Sequence, residues 1–270
     1  MATAGASLDV GSLLRKWREQ RRMTQLELAL DAGISARHLS FVETGRSQPG
    51  GATVLQVAER LAIPYRERNE ILLAAGYAPA FPERSLQDQA LAPVRDALDR
   101  ILAAHEPYPG IVFDRGWNVV TDNTGMSALI EGTDIDPSLL EPPVNVLRLG
   151  FHPRGLAPYI LNFAHWRSHF LARLSQQIAV SADSQLSALL EELSRYPGGA
   201  GESGAQREIE TTSEFLGPVR MRRPGGGEWS FFGMFAGFDT PFEVTTSELA
   251  LELLFPADRD TQRAFTKGES

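Results

Sequence analysis

Apolar residues recur at intervals of three and four in the first quarter of the chain, a spacing typical of helices that bury one face. The pattern predicts five short helices between residues 8 and 76. Pro64 opens the fifth of them and Gly76 ends it. Outside the central pair of helices, the residues that we expect on the inner faces are Leu13, Leu14, Trp17, Val54, Leu55, Ala58, Leu61, Ile71, Leu72 and Leu73.

The central pair of these helices, from Thr24 onward, predicts a helix-turn-helix. Thr24 is placed to cap the first helix, and Gly33 supplies a turn in which a side chain would strain the backbone at positive φ. Ser35 then caps a second helix that turns Leu39 and Val42 inward. The outer face of such a second helix lies in the major groove of double-stranded DNA.

A segment rich in proline and polar residues, 77–92, follows these helices and predicts a linker. Pro93 then opens a helix that runs through His105 and either joins two domains or pairs with its copy in a dimer. The residues that we expect on one face of this helix are Val94, Ala97, Leu98, Ile101 and Leu102. The predicted organisation is a helix-turn-helix domain at 1–82, a linker helix at 83–106 and a second domain at 107–270.

Beyond residue 107 the hydrophobic period shortens to two, which is typical of strands. Strands are predicted within 109–114, 117–122, 215–223, 228–238 and 248–256. Helices are predicted at 123–131, 157–180 and 183–196, the first capped by Asn123 or Thr124. Segment 132–158 is expected to be irregular, and 197–204 a flexible loop. This order predicts a five-stranded antiparallel sheet with helices on one face.

Composition excludes several classes of protein. No apolar run approaches the ~18 residues that a membrane-spanning helix needs, and the N-terminus lacks the charged and apolar regions of a signal peptide. The chain has no cysteine, which excludes disulfides and thiolate chemistry and suits a reducing cytoplasm. We therefore expect a cytoplasmic protein that does not act on membranes.

The formal net charge of −8 is unusual for a protein that binds DNA. Residues 1–82 hold ten Lys and Arg against eight Asp and Glu, a charge of +2, and the remainder has a charge of −10. The weakly basic first domain predicts modest nonspecific affinity for DNA. The acidic remainder is not expected to wrap nucleic acid.

The helical half carries a family resemblance. Residues 8–75, with the motif TQxELAxxAGIS…LSxxExG, resemble the phage-repressor-type (Xre-type) DNA-binding domain. More narrowly, the runs RHLSFVETGRSQP and RNEILLAAGYAP resemble the MmyB-like bacterial transcription regulators. This resemblance implies a multidomain fold, in which an all-α five-helix repressor-like domain precedes an α+β PAS-like domain with a five-stranded antiparallel sheet. It also implies that the second domain binds a ligand.

Carried over residue by residue, the resemblance implies a DNA-binding surface. Gln25 falls on a glutamine that bonds a phosphate and braces the next helix, and Arg37 is placed to bond guanine O6 and N7 as a fork. Arg46 and the backbone N–H groups near 45–48 would hold phosphate. The residues expected at DNA are Thr24, Gln25, Ser35, Ala36, Arg37, His38, Ser40, Phe41 and Arg46.

Two features of this alignment bear on structure rather than recognition. Arg18 and Glu43 fall on a partly buried ion pair that ties the first helix to the end of the third. Ala36 and Phe41 stand where phage repressors more often carry polar residues. The base read-out therefore stays open, and Phe41 is either a base contact or part of the core.

Aromatic residues crowd the second half, and their alternation over 228–238 predicts a central strand or one wall of a pocket. Ordinary core is the alternative. The family resemblance implies that such a cavity takes a small apolar or amphipathic molecule, for example a fatty-acid-like one. The residues expected at this ligand are Asn123, Arg148, His152, Trp166, Arg220, Phe231 and Phe235. Arg148 interrupts an apolar run, so it needs either a ligand anion or an internal salt bridge.

Metal and catalytic chemistry have little support in the sequence. His165 and His169 share a face of a predicted helix, with His152 as a third candidate, but a zinc site needs three or four ligands with a second shell. The sequence shows no nucleophile triad and no phosphate-binding glycine loop. We therefore expect that the protein binds no metal and is not an enzyme.

The sequence therefore predicts a homodimeric transcription regulator that binds double-stranded DNA and a small-molecule ligand. One alternative is a second domain that only dimerises or binds a partner, without ligand. Another is a metal-dependent enzyme fused to a DNA-binding domain.

Overall fold

The structure, a computed structural model, describes residues 9–198, 218–238 and 243–266. The chain divides near residue 84 into two compact units, each with its own hydrophobic core. Within the described ranges, no helix combines the length and the apolar character needed to cross a membrane.

The first unit is built from five helices in the described residues. They are α1 (Val10–Gln20), α2 (Gln25–Asp31), α3 (Ala36–Glu43), α4 (Gly51–Arg60) and α5 (Tyr65–Ala74). One core joins them, and its buried members include Leu14, Trp17, Leu28, Leu39, Val42, Val54, Ala58, Leu61, Ile71 and Leu72. The predicted five-helix domain is confirmed.

Leu73 is a correction to the predicted inner face of α5, because its side chain is 58% exposed. Successive helical residues are turned by about 100°, so Ile71, Leu72 and Leu73 together span more of the helix surface than one buried stripe covers. Ile71 and Leu72 fill the core, and Leu73 is left in solvent.

Helix α1 approaches α3 closely at a glycine. A Cβ built at Gly11 would lie 2.2 Å from the backbone oxygen of Val42. Only a residue without a side chain permits this contact, so Gly11 sets how tightly the two helices pack.

The second unit alternates helices with strands. Its helices in the described residues are α6 (Ala92–His105), α7 (Thr124–Ile130), α8 (Val146–Phe151), α9 (Phe163–Ser181), α10 (Ser184–Arg195), α11 (Val244–Glu248) and α12 (Arg259–Thr266). Its strands are β1 (Gly110–Phe113), β2 (Val119–Asp122), β3 (Val219–Arg222), β4 (Glu228–Ala236) and β5 (Ala250–Pro256). They form one sheet in the order β2-β1-β5-β4-β3, with every neighbouring pair antiparallel. The predicted five-stranded antiparallel sheet is confirmed.

The segment 132–158 is not wholly irregular, because it contains α8. The side chain of Asn145 accepts a hydrogen bond from the backbone N–H of Arg148 at 3.1 Å and so caps this helix. Six residues are too few to show a helical period in the sequence. The following helix, α9, begins at Phe163 rather than near 157, since Pro158 sits in a separate short turn and Ile160 bridges to Met221.

The start of α7 is also held differently from the prediction. Asn123 occupies the capping position, but its side chain makes no capping bond. The carboxylate of Glu106 instead accepts from the backbone N–H of Thr124 at 2.9 Å and from its hydroxyl at 2.8 Å. Most of the predicted loop at 197–204, and the start of the strand predicted at 215–223, lie outside the described residues.

Helices cover both faces of the sheet rather than one. Leu98 and Leu102 of α6, the predicted linker helix, pack with the buried residues Val112, Leu251 and Leu253 on one face. Helices α8, α9 and α10 pack on the other face against Ile111, Phe113 and Phe235. A second correction concerns Ile101 of α6, which is 40% exposed because only one narrow stripe of this helix meets the sheet.

Candidate DNA-binding surface and aromatic cluster

The turn between α2 and α3 is fixed by two capped helix starts. Thr24 and Glu27 form a capping box, in which the Thr24 hydroxyl accepts from the Glu27 N–H at 3.2 Å and the Glu27 carboxylate accepts from the Thr24 N–H at 2.7 Å. Gly33 adopts φ +61°, and Ser35 Oγ accepts from the His38 N–H at 3.1 Å. Both predicted caps and the turn glycine are confirmed.

A buried ion pair anchors the end of α3, as the resemblance implied. Arg18 Nε donates to Glu43 Oε1 at 2.7 Å, and Nη2 donates to Oε2 at 2.8 Å. This bidentate bond to Glu43 raises the pKa of Arg18. Gln25 adds a third donor, with Nε2 at 2.8 Å from Glu43 Oε2. The expected bracing role of Gln25 is therefore visible in contacts among three helices.

The outer face of α3 combines one exposed cation with small and aromatic side chains. Arg37 is exposed, and Ala36, His38, Ser40 and Phe41 are partly exposed. The Arg37 guanidinium carbon lies 5.3 Å from the centre of the Phe41 ring. Phe41 is thus a surface platform for Arg37 rather than a buried core residue.

The backbone after α3 departs from the expected phosphate contact. The N–H groups of Gly45, Arg46 and Ser47 donate to the carbonyls of Val42 and Phe41 at 2.8–3.1 Å. These bonds close the helix end around Gly45, which has φ +71°. The three N–H groups are consequently not free for phosphate, whereas the side chain of Arg46 is exposed.

Five aromatic side chains form what we call the aromatic cluster, between the sheet and α9. They are Phe113, Trp117, Trp166, Phe170 and Phe235. Ring centres lie 4.8 Å apart for Phe113 and Trp117, 4.6 Å for Trp166 and Phe170, and 6.1 Å for Phe170 and Phe235.

The backbone at Trp117 adopts a strained conformation in this cluster. It has φ +65°, which is uncommon for any residue other than glycine and costly for a bulky one. Its indole N–H donates to Gln177 Oε1 at 2.8 Å, and Gln177 Nε2 donates to the Arg115 carbonyl at 2.9 Å. The ring therefore has one fixed orientation beside Phe113.

The structure brings together only two of the predicted ligand residues in this cluster, Trp166 and Phe235. Phe231 is fully buried in a neighbouring core, where its ring centre lies 5.5 Å from that of Phe265. Arg220 is exposed on β3 and pairs with Glu228 at 2.6 Å.

The other predicted polar residues have structural partners. The Asn123 amide is buried, accepts from the Gly110 N–H at 2.9 Å and donates to the carbonyls of Leu102 and Tyr108. His152 Nδ1 accepts from the Arg154 N–H at 3.1 Å.

Arg148 forms the internal salt bridge that the sequence left open as its alternative role. Its guanidinium bonds the Glu192 carboxylate through Nε at 2.9 Å and Nη2 at 2.9 Å. This contact raises the pKa of Arg148 and lowers that of Glu192. The Tyr196 hydroxyl also donates to Glu192 at 2.7 Å, and burial raises the pKa of Tyr196 to about 12.

Two charged residues at the aromatic cluster were missed by the sequence reasoning. The Arg173 guanidinium carbon lies 3.8 Å from the centre of the Phe235 ring, and Glu252 is the cross-strand partner of Phe235. Glu252 interrupts the apolar run ALELLFP, which is the same signal that drew attention to Arg148. Burial raises the pKa of Glu252 to about 7, although Arg173 acts in the opposite direction.

Two further features lie away from the aromatic cluster. His165 and His169 are exposed on α9, and no group of three His, Asp or Glu residues among those described is arranged to hold a metal. A cleft of about 580 Å³ opens elsewhere on the second unit, and its lining includes Glu106, Thr124 and Trp229.

Comparison with protein families gives two matches along the chain. Residues 94–267 match the MmyB-like transcription regulator ligand binding domain, and residues 14–67 match a helix-turn-helix family. The two matches cover the second and first units that the structure shows.

Comparison with individual proteins gives partial matches. The chain is 33% identical over 99 residues to RghRB, an uncharacterized HTH-type transcriptional regulator of Bacillus subtilis (strain 168), covering 36% of this chain and 63% of that protein. It is 41% identical over 68 residues to RghR, an HTH-type transcriptional repressor of the same strain, covering 25% of this chain and 48% of that protein. The chain thus matches about half to two thirds of the length of these relatives.

One solved structure, of an RNA-binding light-oxygen-voltage receptor, aligns with 96% of this chain and 63% of its own, at 12% identity. Its TM-score of 0.30 is too low to support an inference.

Proposed function

The chain belongs to the family of MmyB-like transcription regulators with a ligand-binding domain, and we propose that it is a one-component regulator of bacterial genes. Helix α3 binds operator DNA, and the second unit binds a small amphipathic molecule that changes the affinity for the operator. The protein acts by binding rather than by catalysis, in the cytoplasm where its DNA target lies.

The observation that supports DNA binding is the outward face of α3, a helix whose two ends are fixed by hydrogen bonds and an ion pair. Thr24 and Ser35 fix where the two helices start, and Glu43 fixes where α3 ends. A recognition helix held in this way presents Arg37 to base edges at a constant angle. Arg46 lies beyond the end of α3, where a cation suits a phosphate.

Substitution of the two arginines tests this surface. With duplexes selected from a random pool, we expect Arg37→Ala to relax preference at one base pair by about 1–3 kcal/mol. Arg46→Ala should weaken binding to all duplexes alike, and the number of counterions released on binding should fall by about one. Arg195→Gln, at an exposed position of the second unit, serves as the control for loss of one positive charge. Identical effects of Arg37→Ala and Arg46→Ala on every duplex would refute the assignment.

Ligand binding is supported by the aromatic cluster and its partial access to solvent. Trp166, Phe235, Arg173 and Glu252 are neither fully buried nor exposed. A ligand with an apolar body would pack between the sheet and α9, against rings already held in place. Mass spectrometry of small molecules extracted from the purified protein tests this proposal, and metal analysis of the same sample tests for a metal-dependent enzyme.

A second candidate function for this unit, a module that only dimerises, is favoured by a different surface. On the face of the sheet that also carries α6, Phe232 and Phe255 are cross-strand partners and are 38% and 40% exposed, and Met234 beside them is 46% exposed. Uncovered apolar side chains in one patch are typical of protein interfaces. We propose that a second copy of the chain covers them.

A dimer through this patch also suits the DNA-binding proposal. Two recognition helices related by a two-fold axis read half-sites about 34 Å apart in a near-palindromic operator. Phe232→Ser combined with Met234→Ser should yield a monomer in analytical ultracentrifugation and weaken operator binding. A dimer of unchanged stability would reject this surface. Recovery of a small molecule from the same protein would show that the unit does more than dimerise.

A further inference from the structure

Phe41 lies on the outer face of α3, away from the core of the first unit. Leu39 and Val42 of the same helix are buried in that core. The Phe41 ring is partly exposed, and among the described residues the apolar side chains that pack against the core do not include it. A half-exposed phenylalanine outside the core contributes little to folding, so the surface of α3 is where its ring can act.

Arg37 lies one helical turn before Phe41 and on the same face of α3. Its guanidinium carbon is 5.3 Å from the centre of the Phe41 ring. The negatively polarised face of the ring attracts the cation but saturates none of its five N–H donors. Within the described part of the chain, Arg37 forms no hydrogen bond and no ion pair. The guanidinium is therefore held in place while its donors stay available.

The backbone that carries the ring is fixed. The carbonyl of Phe41 accepts from the N–H groups of Arg46 and Ser47 at 2.8 and 3.1 Å. Val42, the next residue, is buried, and Glu43 after it belongs to the buried ion pair at the end of α3. The ring therefore cannot leave the surface of α3 without disrupting the end of the helix, and it keeps a constant place on the outer face.

Arg37 and Phe41 together present a fork of hydrogen-bond donors beside an apolar surface. In the major groove, guanine offers the acceptors O6 and N7 that a fork bonds, and thymine offers a methyl group at C5 that an apolar surface contacts. Cytosine and adenine instead present an amino group, which would be left without a partner against the Phe41 ring. The two side chains are thus complementary to a guanine near a pyrimidine that carries a 5-methyl group.

The separation of the two side chains sets how far apart these bases lie. Side chains one helical turn apart start from Cβ atoms about 5–6 Å apart, and the 5.3 Å between the guanidinium carbon and the ring centre agrees with this spacing. Stacked base pairs rise by about 3.4 Å, so the two bases are expected within about two base pairs of each other.

Ala36 is another apolar residue on the outer face of α3, but it suits a methyl contact less well. Its side chain packs against the core of the first unit, and one methyl group offers much less surface than an aromatic ring. Ser40, beside Phe41, is partly exposed and ends in a hydroxyl group, which bonds either type of base pair. On this face of α3, Phe41 is therefore the residue best suited to detect a methyl group.

We propose that Phe41 and Arg37 act as one reading unit that selects a guanine together with a 5-methylpyrimidine within about two base pairs of it. Thymine meets this requirement. 5-Methylcytosine meets it as well, because it carries the same methyl group at the same place in the major groove. Methylation of a cytosine at that position should therefore raise the affinity for the operator. This inference rests on the proposed DNA-binding function and adds to it the bases that are read and a specificity-determining role for Phe41.

Duplexes that differ by a single methyl group test the proposal. In a duplex selected from a random pool by the native protein, the guanine is located as the base at which Arg37→Ala relaxes preference. At each position within two base pairs of it, duplexes carrying thymine, uracil, cytosine and 5-methylcytosine are compared by fluorescence anisotropy with the full chain. At one position we expect the uracil duplex to bind about fourfold more weakly than the thymine duplex, and the 5-methylcytosine duplex about fourfold more tightly than the cytosine duplex, as burial of one methyl group predicts.

Substitutions in α3 assign the effect to Phe41. Phe41→Ala should bring both affinity ratios, thymine to uracil and 5-methylcytosine to cytosine, close to one. Phe41→Leu keeps an apolar side chain without an aromatic face, so it should retain most of the methyl preference and lose part of the guanine preference of Arg37. Ser40→Ala, at the neighbouring position, is the matched control and should leave both ratios unchanged. Each ratio compares two duplexes on the same protein sample, so partial unfolding of a variant cannot alter it.

The outcomes separate this inference from the function on which it rests. If the native protein binds no duplex in preference to others, sequence-specific DNA binding is refuted and the inference with it. If Arg37→Ala relaxes one base pair but no neighbouring methyl group changes the affinity, DNA binding stands and the methyl contact is refuted. Equal ratios in Phe41→Ala and the native protein would assign the contact to another residue and overturn the role of Phe41. An unchanged guanine preference in Phe41→Leu would show that the two side chains act separately rather than as one unit.

Discussion

Arg18 in the first unit is buried and Arg173 in the second is partly buried, and the surroundings of the two guanidinium groups differ. Arg18 forms two bonds to Glu43 and a third to the Met23 carbonyl at 2.8 Å. Arg173 lies over Phe235 and forms no such bonds among the described residues. The contrast separates a charge that completes the fold from a charge that the fold leaves available.

The same distinction applies to the predicted site residues. Asn123 and Arg148 were candidates for the ligand because each follows or interrupts apolar sequence, and the structure gives both of them partners within the protein. Sequence identifies a polar residue in an apolar setting, but only the three-dimensional structure shows whether its partner is another residue. Asn123 and Arg148 therefore contribute to the stability of the second unit.

Removal of Glu43 is expected to have the largest effect on stability. Glu43→Ala strands the guanidinium of Arg18, whose side chain is only 11% exposed, and should lower the free energy of unfolding by about 3–5 kcal/mol. Urea unfolding of the full chain measures this loss. Glu191→Ala, which breaks the exposed Arg195–Glu191 pair and leaves the surroundings of Arg18 unchanged, is the control and should cause no measurable change. Equal effects of the two variants would show that the buried Arg18–Glu43 pair stabilises the fold no more than an exposed pair does.

Glu252 should make stability depend on pH in the opposite direction from most carboxylates. Its pKa is about 7 in the folded protein against 4.5 as the ordinary value, so the folded state holds the proton more tightly. The free energy of unfolding should therefore fall as pH rises from about 4.5 to 7, by up to about 3 kcal/mol. Glu252→Gln should flatten this part of the stability curve. A stability that rises equally in both proteins over that interval would contradict the burial of this carboxylate.

The close approach of α1 and α3 predicts a smaller loss. Gly11→Ala forces a Cβ against the Val42 carbonyl and should cost about 1–3 kcal/mol, because backbone cannot move aside as a side chain can. Gly51→Ala meets only the Tyr77 ring at 3.5 Å, an ordinary contact, and should be close to neutral. Both can be measured by thermal unfolding, and a neutral Gly11→Ala would show that the two helices have room to separate.

Much of the fold could be predicted where one local signal suffices. The helix-turn-helix could be predicted from Thr24, Gly33 and Ser35, because caps and turn glycines act within a few residues. The alternation at 228–238 predicted a strand for the same reason. Helix α8 was not predicted because it is only six residues long. The predicted start of α9 was too early because the turn at Pro158 resembles the start of a helix.

The candidate ligand site was harder to predict because its members come from distant parts of the chain. Trp117, Phe235 and Arg173 meet only once β1, β4 and α9 have packed. No spacing in the sequence predicts these contacts. The residues expected at DNA were easier to propose, since nearly all of them lie within one short motif.

The central claim is that a ligand in the second unit changes how tightly the first unit holds DNA. The direct measurement is the affinity for a selected operator duplex, by fluorescence anisotropy, with and without a saturating amount of the small molecule recovered from the protein. We predict a change of about 5- to 150-fold, and an equal change in ligand affinity when the operator is saturating. Identical operator affinities with and without that molecule would contradict the account.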